Sequence, residues 1–568
     1  MQLRPIPARV RFGIGDAFIA LLLAAALYFG VRLALGSPSA FAGPEITLAP
    51  SVLPYYGLRS LLRMLAAYLL SLAFTLVYGY TAAHNRRAEA ILIPALDVLQ
   101  SVPILSFLPV VLLAMIALFP ETVGVELAAV ILIFTSQAWN MTFAFYHSLI
   151  TIPKEMREAA SVFRLSRWLQ FRAIELPFAT IGLVWNSMMS WAGGWFFLMA
   201  AEQFQLGDRD FRLPGIGSYL KTAAEQGDLS ALLLGLATLV VLILLLDQFV
   251  WRPLIAWSDK FNLQTVEEAY PPRSWVLDIL SRSTLIDWLS ARVLYPLSDR
   301  LDTMLSRTET RPRGEWVGER VWRAMGALAL VALVVVAVYG GALAIAYISS
   351  VSLSEWLTIL AAAAATFLRV VAALAIALAW TLPVGVAIGT NHRLANRMLP
   401  IVQVAASVPA TALFPVLLLL LIGLPGGLNL AAVLLMLLGT QWYLLFNIIA
   451  GAMAIPTDLD YTTRSLGISG LERWRSYILP AVFPYLVTGM ITATGGAWNA
   501  SIVAEYVLFA GQTYQTLGLG ALIASSSEAA QFDLLLASTL TMVAIVVLLN
   551  RLLWRRLYRM AEDRFHLD

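Results

Sequence analysis

The 568-residue sequence contains no cysteine. That excludes a disulfide framework, thiolate chemistry and any Cys-ligated metal. Charge is nearly as scarce, at 13% of residues, about half of what a soluble globular chain carries. The four histidines, His84, His147, His392 and His566, are scattered, so no metal site is expected. No GxxxxGK[ST] stretch occurs, which excludes a P-loop in this chain. A net charge of +3 is too small to suggest nucleic-acid binding, and no separate catalytic domain is evident.

What the chain has instead is apolar length. Hydrophobic residues make up 60%, and mean hydropathy is +0.78. A membrane span needs about 20 apolar residues. Twelve candidates follow: 16–35, 58–83, 92–119, 125–150, 178–201 and 229–250, then 322–348, 367–390, 399–424, 428–450, 481–509 and 532–553. The expected fold is therefore an all-α polytopic membrane protein with about twelve spans. The first candidate, preceded by Arg4, Arg9 and Arg11, reads as a retained helix rather than a cleaved signal. Even crossings place both termini on one side. Arg86, Arg87, Arg393, Arg397, Arg551, Arg555, Arg556 and Arg559 fall on that side, which the charge rule makes cytoplasmic. Arg63 and Arg369 lie near the opposite face, where they either snorkel outward or line a polar outer vestibule.

The sequence also repeats. FLRVVAALAIALAWTLPVGV (367–386) follows LLRMLAAYLLSLAFTLVYGY (61–80) at an offset of 306, pairing Arg63 with Arg369 and Gly79 with Gly385. SVPILSFLP meets SVPATALFP. The offset then drops to 303, so that Trp139 meets Trp442, Leu176-Pro177 meets Leu479-Pro480, Glu202 meets Glu505, and LPGIG meets TLGLG. Equal sidedness of equivalent positions implies two parallel copies of six helices related by an axis along the membrane normal. The expected division is 1–250 (core 58–250), a charge-balanced cytoplasmic segment 251–320 with short amphipathic runs, and 321–568 (core 365–555). Glu202 and Glu505, at equivalent span ends before long outer loops, are expected to help receive a solute or its carrier.

Between the fourth and fifth spans of each copy lies a short polar helix started by proline and followed by Leu-Pro. In the first it contains Lys154, Glu155, Arg157, Glu158, Ala159 and Ala160, with Arg164 beyond; in the second Asp458, Tyr461, Thr462, Thr463 and then Gly467. A mere turn would not need such a helix twice. Insertion into a groove of a soluble subunit would. Glu158-Ala159-Ala160 with Ile174-Glu175-Leu176-Pro177, and Gly467 with Tyr477-Ile478-Leu479-Pro480, resemble the EAA signature of ABC importer membrane subunits. Arg164 replaces the signature glycine in the first copy, and Tyr461-Thr462-Thr463 replaces the triplet in the second. With its SVP segments, the six-helix unit is similar to permeases of the nitrate, sulfonate, taurine and bicarbonate class, with a MetI-like transmembrane domain. The resemblance implies two cytoplasmic ABC ATPase subunits that carry ATP and Mg, a periplasmic or lipid-anchored binding protein, a small anionic solute and a bacterial inner-membrane location. It implies no cofactor in this chain and no catalysis by it.

Polar residues within spans mark a possible path: Gln137, Asn140, Asn186 and Ser190 in the first copy, Gln441, Asn447, Thr492 and Asn499 in the second. Such residues also join helices by hydrogen bonds. Gly193-Gly194 and Gly495-Gly496 mark a paired interruption in equivalent spans. The competing class, an ion-coupled carrier or channel, would need ionisable relays at mid-span; Asp97 and Asp247 lie near span ends instead.

Overall fold

The computed structural model describes residues 14–35, 43–206, 209–261, 274–283, 288, 290–309, 317–455, 457–509 and 512–564. Its helices, in order, begin with α1 (Ile14–Leu35), α2 (Leu53–His84), α3 (Arg86–Ser101), α4 (Leu108–Leu118), α5 (Glu121–Ile150) and α6 (Lys154–Val162). Then come α7 (Arg167–Gln170), α8 (Leu176–Glu202), α9 (Ile216–Gln226), α10 (Leu229–Leu246) and α11 (Arg252–Ser258). After α12 (Trp275–Ser281), α13 (Tyr295–Glu309) and α14 (Val317–Ile348), the order recurs. The second series is α15 (Leu353–Gly389), α16 (His392–Ser407), α17 (Ala410–Leu421), α18 (Gly427–Met453), α19 (Thr457–Ser465) and α20 (Gly470–Arg473). It closes with α21 (Leu479–Ala504), α22 (Leu519–Glu528), α23 (Phe532–Leu549) and α24 (Arg555–Arg564). Two small antiparallel hairpins, β1–β2 (Gln205–Leu206, Arg209–Asp210) and β3–β4 (Tyr506–Phe509, Gln512–Gln515), also occupy matching places.

The chain is an all-α polytopic membrane protein. Seven described helices are long and apolar enough to cross a membrane, or eight if the bent pair Arg397–Ser407 and Ala410–Leu421 counts as one. That pair meets at 79°, which corrects the expectation of one unbroken ninth span over 399–424. The third expected span is likewise divided into α3 and α4. Both breaks fall at SVP: Val102 and Val408 are extended, and the following proline has no N–H to continue the preceding helix. α8, at 27 residues, has the length of a span but is not among the seven; its tryptophans, serines and Asn186 dilute it.

Helix starts also move. α15 begins 14 residues before the expected span, because Ser352 and Glu355 form a reciprocal cap ahead of an alanine-rich turn. α21 stops at Ala504, short of the expected Phe509, where the chain enters β3.

Within each copy the packing follows side-chain size. Ser60, Met64, Ala67, Ser71, Thr75 and Gly79 are buried at three- and four-residue spacing on α2, whereas Leu58, Leu62, Leu65, Leu69 and Val77 are exposed. The small-residue face lies on α5. Thr75 and Thr142 hydroxyls are 3.1 Å apart, and a Cβ on Gly79 would come within 2.7 Å of the Phe145 ring. On α15, Thr381 and Gly385 repeat the arrangement against α18, with Ile448 in place of Phe145. Small faces permit this close approach without a hydrophobic drive between helices in lipid. α1 and α14 pack against each other outside the two series.

Candidate functional site

Three regions are candidates: the loops after α8 and α21, the contact between copies, and the polar hairpins after α5 and α18. At the loop after α8, Glu202 is fully buried. Its carboxylate accepts from Ser60 Oγ at 2.7 Å, Arg63 Nη1 at 2.7 Å and the Gly217 amide at 2.8 Å. Arg63 also donates to Pro214 O and, through Nε and Nη2, to Glu126. In the second copy Glu505 accepts from Thr366, Arg369 and Gly520, while Arg369 donates to Leu517 O and Asn429. Each partner is displaced by 306 on the first long helix and by 303 elsewhere, as the repeat requires. The glycines of LPGIG and TLGLG are explained at once: a Cβ on Gly215 or Gly518 would stand 2.3 or 2.1 Å from these carboxylates.

This geometry corrects two expectations. Arg63 is 3% exposed and consumed by carboxylates, and Arg369 is ion-paired to Glu505 at 2.7 Å. Neither is a free cation lining an outer vestibule. Glu202 and Glu505 are both fully buried, so they hold the loop and short outer helix to the bundle rather than receive anything from outside. Burying a carboxylate is costly unless an opposite charge and amide donors surround it, and here both do. Charge balance is kept locally: Glu126 is matched by Arg59 at 2.6 Å, whereas at the equivalent positions Asn429 goes with Ala365.

The candidate path residues do not form one cluster. Asn186, Asn447 and Thr492 each donate to the backbone of their own helix, to Gly182 O, Tyr443 O and Thr488 O respectively. Asn140 reaches Ser190 at 3.4 Å, and Gln441 accepts from Trp380 Nε1 at 3.2 Å. Gln137 is fully buried against Gly194, with neither amide atom hydrogen-bonded among the described residues. Asn499 crosses between copies: its Oδ1 accepts from Leu105 N, just after the first SVP, at 3.3 Å. Sequence reasoning missed Gln403. From α16 of the second copy it donates to Asp247 Oδ1 at 3.2 Å, while Arg252 Nε holds Oδ2 at 2.8 Å. Met188, Trp191, Trp195, Trp251, Gln403 and Ser407 surround a void of about 10 Å³ beside Asp247, the size of a single water. The repeat could have found this pair, since Gln403 matches Asp97 and Asn550 matches Asp247, so an acid and an amide stand at each related position.

The polar hairpins form as expected. α6 and α19 are nine residues each. Lys154, Glu155, Arg157, Glu158 and Ala159 are exposed and Ala160 is buried; in α19 Tyr461 and Thr462 are exposed and Thr463 is buried. The side chain of Asp458 lies outside the described residues. Arg157 donates to the carbonyls of Leu149 and Ile150, closing the end of α5. Both hairpins end alike, with Leu165 N bonded to Ala160 O and Ile468 N to Thr463 O, each at 3.0 Å. That closure needs a left-handed residue between. Gly467 supplies it at φ 69°, and Arg164 is forced into it at φ 49°. Within the closure, Phe163 and Leu466 are 76% and 69% exposed. A π turn follows in each copy, Phe171–Glu175 and Trp474–Ile478, before the next long helix.

Among the described residues no group of three or more His, Asp or Glu side chains could hold a metal. The similarity to known proteins is modest but consistent in kind. The chain is 28% identical over 196 residues to the taurine transport system permease protein TauC of Escherichia coli (strain K12), covering 34% of this chain and 67% of that protein. It is 29% identical over 122 residues to the nitrate import permease protein NrtB of Synechococcus elongatus, covering 22% and 42%. A bicarbonate transport system permease protein, CmpB, of the same organism matches at 29% over 144 residues, covering 25% and 50%. The matches thus span from under half to about two thirds of these curated relatives. The family of binding-protein-dependent transport system inner membrane components matches residues 75–250 and again 381–566, more than half of the chain. By these two matches, and with the same hairpin and buried network built twice, the chain belongs to the family of binding-protein-dependent transport system inner membrane components.

Proposed function

We propose that this chain carries a pair of membrane units of an ATP-driven importer, two parallel six-helix repeats fused through residues 251–320, with twelve crossings and both termini cytoplasmic. The observation that carries this reading is the duplicated hairpin: α6 and α19, each closed by a left-handed residue and each leading through a π turn into a long helix. Such a helix, docked in a groove of an ATPase subunit, passes movement directly to α8 or α21. One ATPase subunit would sit under each copy, and a periplasmic or lipid-anchored binding protein would deliver the solute.

The solute is proposed to be a small anion, as the names of the taurine, nitrate and bicarbonate relatives suggest. Arg63 and Arg369 are committed to internal carboxylates, so recognition would fall to neutral donors. Trp191 Nε1, Trp498 Nε1 and Gln137 Nε2 are buried without a hydrogen-bond partner among the described residues, which supports that role. The test is co-purification of the chain with its ATPase, identified by mass spectrometry, followed by ATP hydrolysis in liposomes with binding protein and taurine, nitrate or bicarbonate. Hydrolysis stimulated by one of them is expected. Uptake that needs an ion gradient and no ATP would establish the ion-coupled carrier instead.

A further inference from the structure

The two hairpins continue into surfaces of different completeness. In the first copy, α13 from the segment between the repeats lies along α7 and the π turn that follows it. Trp168 and Arg172, one helical turn apart, face Ser298 and Asp302, also one turn apart. Trp168 Nε1 donates to Asp302 Oδ1 at 2.8 Å, Arg172 pairs with Asp302, and Arg172 Nη2 donates to Ser298 Oγ at 2.5 Å. Glu175, just beyond, is held by His84 Nε2 at 2.9 Å and Gln170 Nε2 at 3.1 Å.

The 303 register puts Leu471 at the place of Trp168, and Arg475 at that of Arg172. The cation is thus present in both copies, but its surroundings are not. Leu471 is 84% exposed, Arg475 is exposed, and among the described residues Arg475 has no ion-pair or hydrogen-bond partner. His84 and Glu175 become Thr390 and Ile478, removing the second attachment as well. The filled surface shows what the open one can take: a helix presenting a carboxylate one turn from a small polar group.

We propose that Leu471 and Arg475 form a docking surface for an acidic helix of the ATPase subunit beneath the second copy, the place that α13 fills from within the chain in the first copy. This rests on the reading of α6 and α19 as ATPase contacts. The two ATPase subunits then engage unequal surfaces. The first meets α6 with α13 already seated beside it; the second meets α19 together with the bare Leu471–Arg475 patch. The patch lies directly after α19 in sequence, so one partner can cover both.

The absence of native cysteine makes the test direct. Val162→Cys and Ser465→Cys, placed singly in the full chain, are cross-linked to the ATPase subunit that co-purifies and has been identified by mass spectrometry. Arg475→Glu is expected to lower cross-linking at 465 by about fivefold, the scale of one exposed ion pair, and to leave cross-linking at 162 unchanged. Arg172→Glu, which breaks the α13 contact, is expected to leave 465 unchanged and not to lower 162. Leu471→Asp serves as a second variant and should act like Arg475→Glu; equal thermal unfolding of all variants in detergent excludes a folding defect. Cross-linking at both sites with Arg475→Glu and Leu471→Asp silent at 465, or equal losses from Arg172→Glu and Arg475→Glu, would overturn the inference alone. Failure to cross-link at either site without these substitutions would remove the ATPase reading, and this inference with it.

Discussion

At the scale of single residues, the repeat separates backbone from side-chain effects. Four left-handed residues form two equivalent pairs, Arg164 with Gly467 and Gly227 with Ala530. Within each pair one copy has glycine and the other a side chain, in a conformation that costs an L-residue about 1 kcal/mol. Arg164→Gly and Ala530→Gly are each expected to stabilise by up to about 1 kcal/mol, and Gly227→Ala to destabilise by a similar amount. No atom lies within 4 Å of a Cβ at Gly227, so that change is purely conformational. Thermal unfolding in detergent measures all three; stabilisation by Gly227→Ala would contradict the assignment. Gly518→Ala differs, because its Cβ would meet Glu505 at 2.1 Å. A loss of about 1–3 kcal/mol is expected there from overpacking, measured in the same way.

The outer loop carries a titratable contact. Burial opposes ionisation of Asp210, but the side-chain and backbone hydrogen bonds from Arg212 overcome it and hold the carboxyl below its ordinary value. A depressed folded-state value contributes stability above the unfolded value of about 4 and loses it as pH falls through the folded one. Asp210→Asn should therefore lower the unfolding temperature slightly at pH 7, reflecting under about 1 kcal/mol for a partly exposed pair, and the difference should shrink as pH is lowered from 7 towards 3. A constant difference across that range would contradict the pairing.

At the scale of elements, α6 and α19 are the proposed route by which movement reaches the membrane. Glu158 and Tyr461 occupy equivalent exposed positions on α6 and α19. Glu158→Lys places a cation in the first half of α6 beside Arg157, against a helix dipole worth only about 0.3–1 kcal/mol when exposed. Insertion and yield should survive. Coupled ATP hydrolysis should fall more than it does with Tyr461→Lys, because only the first substitution removes a carboxylate. Equal, unchanged hydrolysis in both variants would reduce α6 and α19 to topological turns.

The same elements show what was legible beforehand. Helix positions followed from apolar length, and both hairpins from a proline start and a Leu-Pro exit. The left-handed closure was legible only as an anomaly, an arginine where a glycine belonged. Arg63 and Arg369 were misread because a lone cation at a span end has no visible partner in sequence. Glu126, 63 residues away, and Glu202, 139 residues away, complete the site only through packing. Single third and ninth spans were expected because apolar length does not report direction, although the prolines of SVP already marked both breaks.

On the scale of the whole molecule, the copies agree in scaffold and differ in chemistry. The buried Arg–Glu networks, π turns and hairpins recur at equivalent positions, whereas Glu126, His84, Glu175 and the α13 lock belong to the first copy alone. Fusion permits this, since each copy can diverge without altering the other, as identical subunits cannot. Parallel duplication still requires every equivalent position to face the same side. The most direct test is labelling of single cysteines by a membrane-impermeant maleimide in right-side-out and inverted vesicles. Glu158→Cys and Tyr461→Cys should react only from the cytoplasmic side, and Gln226→Cys and Ala529→Cys, all exposed positions, only from the opposite one. Opposite sidedness within either equivalent pair would contradict a parallel pair of transport units.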